Sequence, residues 1–357
     1  MAAEQQRPAA DADEALESSM PNAEADAARV GIASEALDDH EAPADDLSPT
    51  EAEQAAAEAE QAAAEALARL EDRIGAYTSY TLAGDFLELR EIFDGTLERI
   101  SEADWDRRTD RRTQGWTRRE TLAHVEAVTE AFYQAALAGS EGRTISFPDF
   151  TARTDLPTIN QAMIEARAEL PVDELRANLL ERFTQTARLA AGLTAEQMGR
   201  VVTVPFYGSP PTVAELIGAS LAHAGIIHGA QLALNRSRPI WIYFHPSMMR
   251  RQITRLVHML GLSYWPERGG ELHATLAIHI EGQGGGSWIV RVSPEGGMGK
   301  IGLARTNDVS YTFASADLFC RLMTYQTKPW RHLLTRKLRV AGQLGLAGRV
   351  PRYFSPT

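Results

Sequence analysis

Three histidines lie in segments whose apolar residues recur with the period of an α-helix. His124 falls within residues 117–137, and His223 and His228 fall within residues 211–235. Imidazole nitrogens that project from facing helices are a common way to hold a metal ion inside a helical bundle. A single helical histidine is more often a core residue with a satisfied hydrogen bond, but three on two helices favour a shared centre. The sequence therefore predicts a metal site with these three ligands.

The spacing of the two later histidines needs a departure from regular helix. His223 precedes His228 by five residues, and Ala224, which has no metal-binding atom, stands four residues before His228. Five residues turn a regular α-helix through about 500°, so the two side chains would point roughly 140° apart. A π-helical bulge near Gly225 would absorb the extra residue, and such bulges are frequent at functional sites. Without the bulge the site has two ligands and no metal; with it, three ligands leave one position open for water or a thiol.

The segments that carry the histidines belong to a helical region. Amphipathic patterns predict helices over residues 81–100, 117–137, 157–170, 172–193 and 211–235. Thr117 and Glu120 form a capping-box pattern at the start of the second helix. Long amphipathic helices joined by loops predict an antiparallel four-helix bundle over residues 71–240, with residues 139–157 as a crossover or a lid.

Three stretches of this region resemble a known family: GWTRRETLAHVEAV (115–128), PTINQAMIEARAEL (157–170) and LAHAGIIHGAQL (221–232). They are similar to the DinB-like superfamily and, more narrowly, to the N-terminal domain of mycothiol-dependent maleylpyruvate isomerases. The resemblance implies a four-helix bundle that binds a divalent metal, zinc or nickel, and uses a low-molecular-weight thiol as cofactor. It also implies one histidine ligand on the second helix and a His or Glu plus His pair, four residues apart, on the last.

The family pattern maps onto this chain in part. His124 and His228 stand at two of the ligand positions, whereas Ala224 occupies the third and His223 is the nearby candidate. A metal held there would lower the pKa of a bound thiol and present it as the reactive thiolate. This chemistry suits thiol transfer or thiol-assisted isomerisation.

Substrate contacts are indicated less directly. Asn160 lies in one of the stretches that carry the resemblance, and we expect it to contact substrate. A substrate acid of the maleylpyruvate type would need a cationic pocket, which Arg118 could supply; the alternative is that Arg118 is a solvated residue of the first helical turn. No catalytic side chain is identified, because Cys320 lies in the other domain.

Beyond residue 240 the pattern changes to the alternation typical of β-strands. Strands are predicted at residues 271–283, 284–297, 297–305, 308–315 and 338–342. Helical patterns occur at residues 247–265, 315–326 and 329–337, and residues 343–354 form a final helix or tail. Residues 241–357 therefore predict a small α/β domain with a five-stranded sheet.

This order of elements resembles the sterol-carrier-protein type 2 fold, most clearly in the stretches SWIVRVSPEGG, DVSYTFASADLFCRLM and TRKLRVAGQLGLAGRV. The resemblance implies an apolar tunnel that holds a lipid or another hydrophobic small molecule. The candidate lining residues are Trp288, Phe313, Leu318, Phe319, Leu322 and Met323. The alternative is that such side chains are ordinary core, in a domain that serves packing or forms a homodimer.

Charge is distributed unevenly along the chain, whose formal net charge is −12. Residues 1–70 are acidic and contain no Phe, Trp or Tyr, so they predict a disordered tail. The tail ends in a predicted Ala/Glu helix at residues 52–65, where the repeat AEQAAAE occurs twice. Residues 241–357 are basic. The tail could dock on a protein partner or on the chain's own basic domain, whose cations could also face anionic lipid. No known motif supports nucleic-acid binding.

Several protein classes are excluded. The single cysteine rules out an internal disulfide and a cysteine-built zinc site. No apolar run reaches the length of about 18 residues that a transmembrane helix needs. The first residues have neither the basic nor the apolar region of a secretory signal, so we expect a cytoplasmic protein.

These features predict a metal-dependent thiol transferase or isomerase with an appended hydrophobic-ligand domain. The alternative is a non-enzymatic carrier of a lipid or another hydrophobic small molecule, in which the helical region is a scaffold. A third possibility is an interaction protein that acts through its acidic tail.

Overall fold

The computed structural model describes residues 75–109, 115–145, 155–233, 235 and 237–354. Every described residue belongs to one compact unit, which lies within Gln54–Thr357. The predicted acidic tail and its Ala/Glu helix lie outside the described residues. Within these ranges no helix is long and apolar enough to cross a bilayer.

The helical part of this unit follows the predicted segments except at the last of them. Its helices are α1 Ser79–Leu97, α2 Glu102–Trp105, α3 Arg118–Ser140, α4 Leu156–Glu165, α5 Val172–Gly192, α6 Ala195–Gly199 and α7 Val213–Ala222. Thr117 with Glu120 forms a capping box at the start of α3, and Thr212 with Glu215 does the same for α7. Each box satisfies backbone N–H groups that the first helical turn leaves free.

The long helices bury their apolar faces against one another. α1 packs along α5, and α3 packs against both α5 and α7. Phe86 and Phe93 of α1 meet Phe183 of α5 with ring centroids 5.8 and 5.4 Å apart, and all three side chains are fully buried. Burying one such side chain stabilises the fold by roughly 1.5–3 kcal/mol. α3, which carries His124, packs against this pair of helices through α5.

The last predicted helix is much shorter than its apolar pattern. α7 ends at Ala222 rather than near residue 235, and the chain continues as a π-helical turn, His223–Ile227. Residues 228–233 are buried although they are not helical, so the apolar pattern runs past the end of the helix. A 3-10 turn, Ile240–Tyr243, then leads into the second part of the unit.

The second part contains a five-stranded mixed sheet, which confirms the prediction. Its strands are β1 Ala274–Ile280, β2 Gly286–Ser293, β3 Gly296–Ile301, β4 Val309–Phe313 and β5 Leu338–Gly342, in the order β3-β2-β1-β4-β5. β1 and β4 are parallel, and the other neighbours are antiparallel. The helices are α8 Pro246–Leu262, α9 Pro266–Gly269, α10 Ala316–Met323, α11 Pro329–Leu334, α12 Leu344–Arg349 and α13 Pro351–Phe354.

α8 covers one face of the sheet at β2 and β3. A Cβ atom added at Gly261 would lie 2.2 Å from the backbone nitrogen of Gly299, and one added at Gly299 would lie 2.3 Å from the carbonyl oxygen of Val257. Helix and strand thus touch backbone to backbone, which requires glycine at both positions.

A buried ion-pair network joins α8 to the helical part. The Arg255 guanidinium donates to Asp85 Oδ2 at 2.6 Å and to the carbonyl oxygen of Ala76 at 2.7 and 3.0 Å. Arg251 donates to the same Asp85 oxygen at 2.8 Å. Burial lowers the pKa of Arg255, and the Asp85 carboxylate opposes that effect. Charged groups that are buried away from water must stay paired. This network therefore holds α1 against α8.

Candidate metal centre

His124 is presented by α3. The capping box at Thr117 sets where this helix begins, and His124 follows two turns later with only 3 % of its surface exposed. The Trp116 ring packs beside the imidazole, with centroids 4.8 Å apart. Since α3 packs against α7, the His124 ring faces the segment that carries the other two histidines.

His223 and His228 bracket the π-helical turn. The His228 N–H donates to the carbonyl oxygen of His223 at 3.1 Å, which is the five-residue hydrogen bond of a π-helix. Close packing accompanies the turn, because a Cβ atom at Gly229 would lie 2.1 Å from the carbonyl oxygen of Gly225. Of the two alternatives that the spacing left open, the structure has the π-helical bulge near Gly225. It brings together two side chains that a regular helix would point apart.

The three imidazole rings converge. Their centroids lie 5.2 Å apart for His124 and His223, 4.9 Å for His124 and His228, and 4.6 Å for His223 and His228. One ring nitrogen of each lies within 4.8 Å of a ring nitrogen of the other two. The arrangement thus offers three potential ligand atoms to one ion.

Gln231 fixes the orientation of one ring. Its side-chain oxygen is hydrogen-bonded to His228 Nδ1. An amide oxygen can only accept, so Nδ1 carries the proton and the lone pair of His228 lies on Nε2. That Nε2 atom lies 3.2 Å from His223 Nε2. The His-x-x-Gln spacing is the sequence signal for this contact, and no role was assigned to Gln231 from sequence.

Burial keeps the His124 and His223 rings neutral. Burial lowers the pKa of His124 and of His223 well below its ordinary value, and the nearby His228 lowers both further. An ordinary histidine has a pKa of about 6.5, so both rings are uncharged at neutral pH. The neutral imidazole is the form that binds a metal ion.

One pair of nitrogens has the spacing of a tetrahedral zinc site. Two nitrogens bound to zinc at about 2.0–2.1 Å lie roughly 3.3 Å from each other, and the Nε2 atoms of His223 and His228 are 3.2 Å apart. The Nδ1 atoms of His124 and His223 are buried and have no hydrogen-bond partner within the part of the chain that the structure describes. Buried nitrogens normally have a partner; the orphaned Nδ1 of His124 is open to an ion, whereas His223 offers Nε2 to the shared centre.

Aromatic side chains surround the centre. The Phe132 ring lies 6.2 Å from the His223 ring, and Phe206 packs on Phe132 at 5.7 Å. Phe132 is buried, whereas His223 is only half-buried. The centre is therefore shielded by apolar groups, and His223 is the most exposed of the three histidines.

The two predicted substrate contacts differ in their surroundings. Arg118 donates to the carbonyl oxygens of Asp104 at 2.9 Å and Ala233 at 3.1 Å, so it fastens the start of α3 to the chain that follows His228. Asn160 is half-buried on α4, which packs against α3.

The side chains expected to line an apolar tunnel lie in or against the hydrophobic core. The buried ones, 7 % exposed or less, are Trp288, Phe313, Leu318 and Phe319. Leu322 and Met323 are partly buried and pack against them. Trp288 Nε1 donates to the Thr254 hydroxyl at 3.0 Å, and the rings of Phe313 and Phe319 meet edge to face at 5.1 Å. Cys320 is also buried, and burial raises the pKa of its thiol.

Comparison with known proteins identifies the class of the helical region. Residues 85–232 match the family model of the DinB superfamily, and all three histidines fall within that range. This part of the chain is a DinB-like domain. The match does not extend to the sheet. No curated protein matches the chain significantly.

Solved structures give weaker likenesses. The chain is 15 % identical to the mycothiol-dependent maleylpyruvate isomerase over 68 % of this chain and 87 % of that one, with TM-scores of 0.45 for that protein and 0.44 for a mutant of it. It is 12 % identical to the stereoselective inverting sec-alkylsulfatase Pisa1 from Pseudomonas sp., over 60 % of this chain and 34 % of that one, with a TM-score of 0.27.

Proposed function

We propose that this chain is a metal-dependent thiol transferase or isomerase of the DinB-like class, in which His124, His223 and His228 hold a zinc or nickel ion. The observation that carries the proposal is the convergence of three imidazole rings, two of them with lowered pKa, from α3 and the turn after α7. The family match over the same residues supports it. In this proposal α1, α3, α5 and α7 are the four helices of the bundle.

The chain's own residues prepare the centre. When bound, the ion would supply an open coordination position at which a low-molecular-weight thiol is held as its thiolate. His124 and His223 need release no proton to bind, because burial has already lowered their pKa. Gln231 keeps the proton of His228 on Nδ1 and so leaves Nε2 facing the centre. Phe132 excludes water from one side, while half-buried His223 marks the side on which thiol and substrate enter.

Substrate recognition is part of the proposal. We assign Asn160 a contact with substrate, because it is half-buried on the helix beside α3. Arg118 acts in this scheme by holding the backbone around the centre through its two carbonyl contacts. A carrier function for the second part of the chain, with a sterol-carrier-type tunnel, is not proposed, since its expected lining side chains fill the core.

Metal analysis of protein purified without an affinity tag tests the site. We expect about one zinc or nickel ion per chain, and its loss in His124→Ala and in His223→Ala. His273→Ala is the matched control, because His273 is exposed and lies outside the cluster. Metal-free wild-type protein that also fails to bind added zinc or nickel would overturn the proposal.

A thiol-binding measurement tests the chemistry separately. Mycothiol, added to cobalt-substituted protein, should produce a thiolate-to-metal charge-transfer band that is absent from His124→Ala. Turnover of maleylpyruvate with mycothiol then tests the isomerase reaction itself. A metal-loaded protein that gives no charge-transfer band with any low-molecular-weight thiol would retain the metal site and refute the thiol chemistry.

A further inference from the structure

The connection between β3 and β4 has to cross the sheet. β2 and β1 stand between these two strands, and only residues 302–308 link the end of β3 to the start of β4. Because α8 covers one face of β2 and β3, the connection passes over the opposite face, which we call the outer face. Gly302 turns the chain at the start of this crossing. Its backbone φ of +133° is one that residues other than glycine rarely adopt.

A cavity of about 390 Å³ lies between the connection and the outer face. Small-molecule sites commonly measure about 300–1,000 Å³. Arg291 of β2 and Lys300 of β3 line the cavity from the sheet, and Arg305 and Thr306 line it from the connection. No acidic side chain lines it.

The three cations have no counter-charge of their own. Arg291 pairs in register with Met298, and Lys300 stands two residues further along β3, so the two are diagonal neighbours on the outer face. Among the described residues none of the three takes part in an ion pair or a side-chain hydrogen bond. By contrast, Arg339 at the other end of the sheet pairs with Glu281.

Asp308, the acidic residue at the end of this connection, already accepts hydrogen bonds from other groups. Asp308 accepts from the backbone N–H of Thr275 at 2.8 Å and from the Gln343 side chain at 2.9 Å. It lines the neighbouring cavity, which Arg291 also borders, rather than this one. Like charges gathered in one recess repel one another, and a bound anion would offset that repulsion.

We propose that this cavity binds a small molecule that carries a phosphate group, with Arg291, Lys300 and Arg305 as its ligands. Guanidinium groups match the geometry of phosphate oxygens, and an ammonium group adds a point charge. Leu303, which lines the same cavity and is 58 % exposed, offers an apolar contact for the rest of the ligand. The proposal does not rest on the metal centre.

Titration calorimetry on the full-length protein with inorganic phosphate and with glycerol 3-phosphate tests the site. We expect saturable binding that weakens at least about tenfold in the double variant Lys300→Gln, Arg305→Gln, since a hydrogen bond to a charged group contributes about 1.5–3 kcal/mol. Lys337→Gln is the matched control: it removes one exposed positive charge from the same part of the chain, outside the cavity. The control should bind like wild type.

Three results would overturn the proposal. The first is the absence of saturable binding to wild type with either probe. The second is equal affinity in wild type and the double variant. The third is binding that disappears in His124→Ala but persists in the double variant, which would place the phosphate at the histidine cluster. Unchanged thermal unfolding of the double variant shows that any loss of binding is not loss of fold, because Arg305 is exposed and Lys300 is half-buried.

Discussion

His223 and His228 are five residues apart in the chain, yet their Nε2 atoms lie 3.2 Å from each other. The π-helical turn makes this approach possible, because it adds one residue to a turn without moving the following side chain to another face. The candidate metal centre therefore depends on a backbone irregularity, and changes to that backbone should affect metal affinity.

Gly229→Ala should disturb the turn. The added Cβ would lie 2.1 Å from the Gly225 carbonyl oxygen. Because that oxygen belongs to the backbone, moving it aside would strain the turn. We expect zinc affinity to fall more than about tenfold and the free energy of unfolding to fall by about 1–3 kcal/mol. Zinc competition titration and urea unfolding measure the two effects.

Gly84→Ala is the control for this substitution. Gly84 is exposed in the middle of α1, and a Cβ there meets nothing within 4 Å. Alanine should raise the free energy of unfolding by about 0.5–1 kcal/mol and leave zinc affinity unchanged. If Gly229→Ala keeps wild-type zinc affinity, the turn is not needed for metal binding.

Gln231→Leu should weaken metal binding without unfolding the domain. The substitution removes the acceptor that holds the proton of His228 on Nδ1. Loss of such a partner to a metal ligand typically costs about 10–100-fold in affinity. Gln231→Glu retains an acceptor and should bind zinc far better than Gln231→Leu. Equal zinc affinities of Gln231→Leu and wild type in chelator competition would contradict the orienting role.

Asp85→Ala should destabilise the protein strongly, because it leaves the buried Arg255 guanidinium without its carboxylate. Removing one partner of a buried pair costs about 3–5 kcal/mol. Asp94→Ala is the control: the Asp94 and Arg176 side chains are 37 % and 24 % exposed, and such a pair contributes about 0–1 kcal/mol. Urea unfolding compares the two variants, and a similar loss in both would contradict the locking role of Asp85.

His258 should make stability depend on pH. Its ring stacks on Tyr77 at 5.2 Å, and neither ring nitrogen has a hydrogen-bond partner in the described ranges. Burial lowers the pKa of His258, while Glu215 opposes the shift. As pH falls below about 6.5, the unfolded chain takes up a proton that the folded protein resists, so the free energy of unfolding decreases.

The expected contribution of His258 is at most about 1.4 kcal/mol per pH unit. His258→Leu should therefore lose less stability than wild type between pH 7 and pH 5 in urea unfolding of the metal-loaded protein. His273→Leu, which changes an exposed ring, should follow wild type. Parallel pH profiles of His258→Leu and wild type would show that His258 does not contribute.

Local patterns located most elements of the fold. α5 was predicted at residues 172–193 and spans Val172–Gly192, and β5 was predicted at residues 338–342 and spans Leu338–Gly342. These elements were predictable because periodicity and turn residues act between near neighbours in the chain. The length of α7 was overestimated because the buried chain after Ala222 is as apolar as a helix.

By itself, the sequence determined that three histidines lie on two helical segments, that strands follow, and that an extra residue separates His223 from His228. Only the tertiary structure decided that the rings converge, that Gln231 orients one of them, and that Arg291, Lys300 and Arg305 share a cavity. Periodicity is set by residues a few positions apart. Convergence of His124 with a turn about a hundred residues later depends on how α3 packs against α7, which no local pattern encodes.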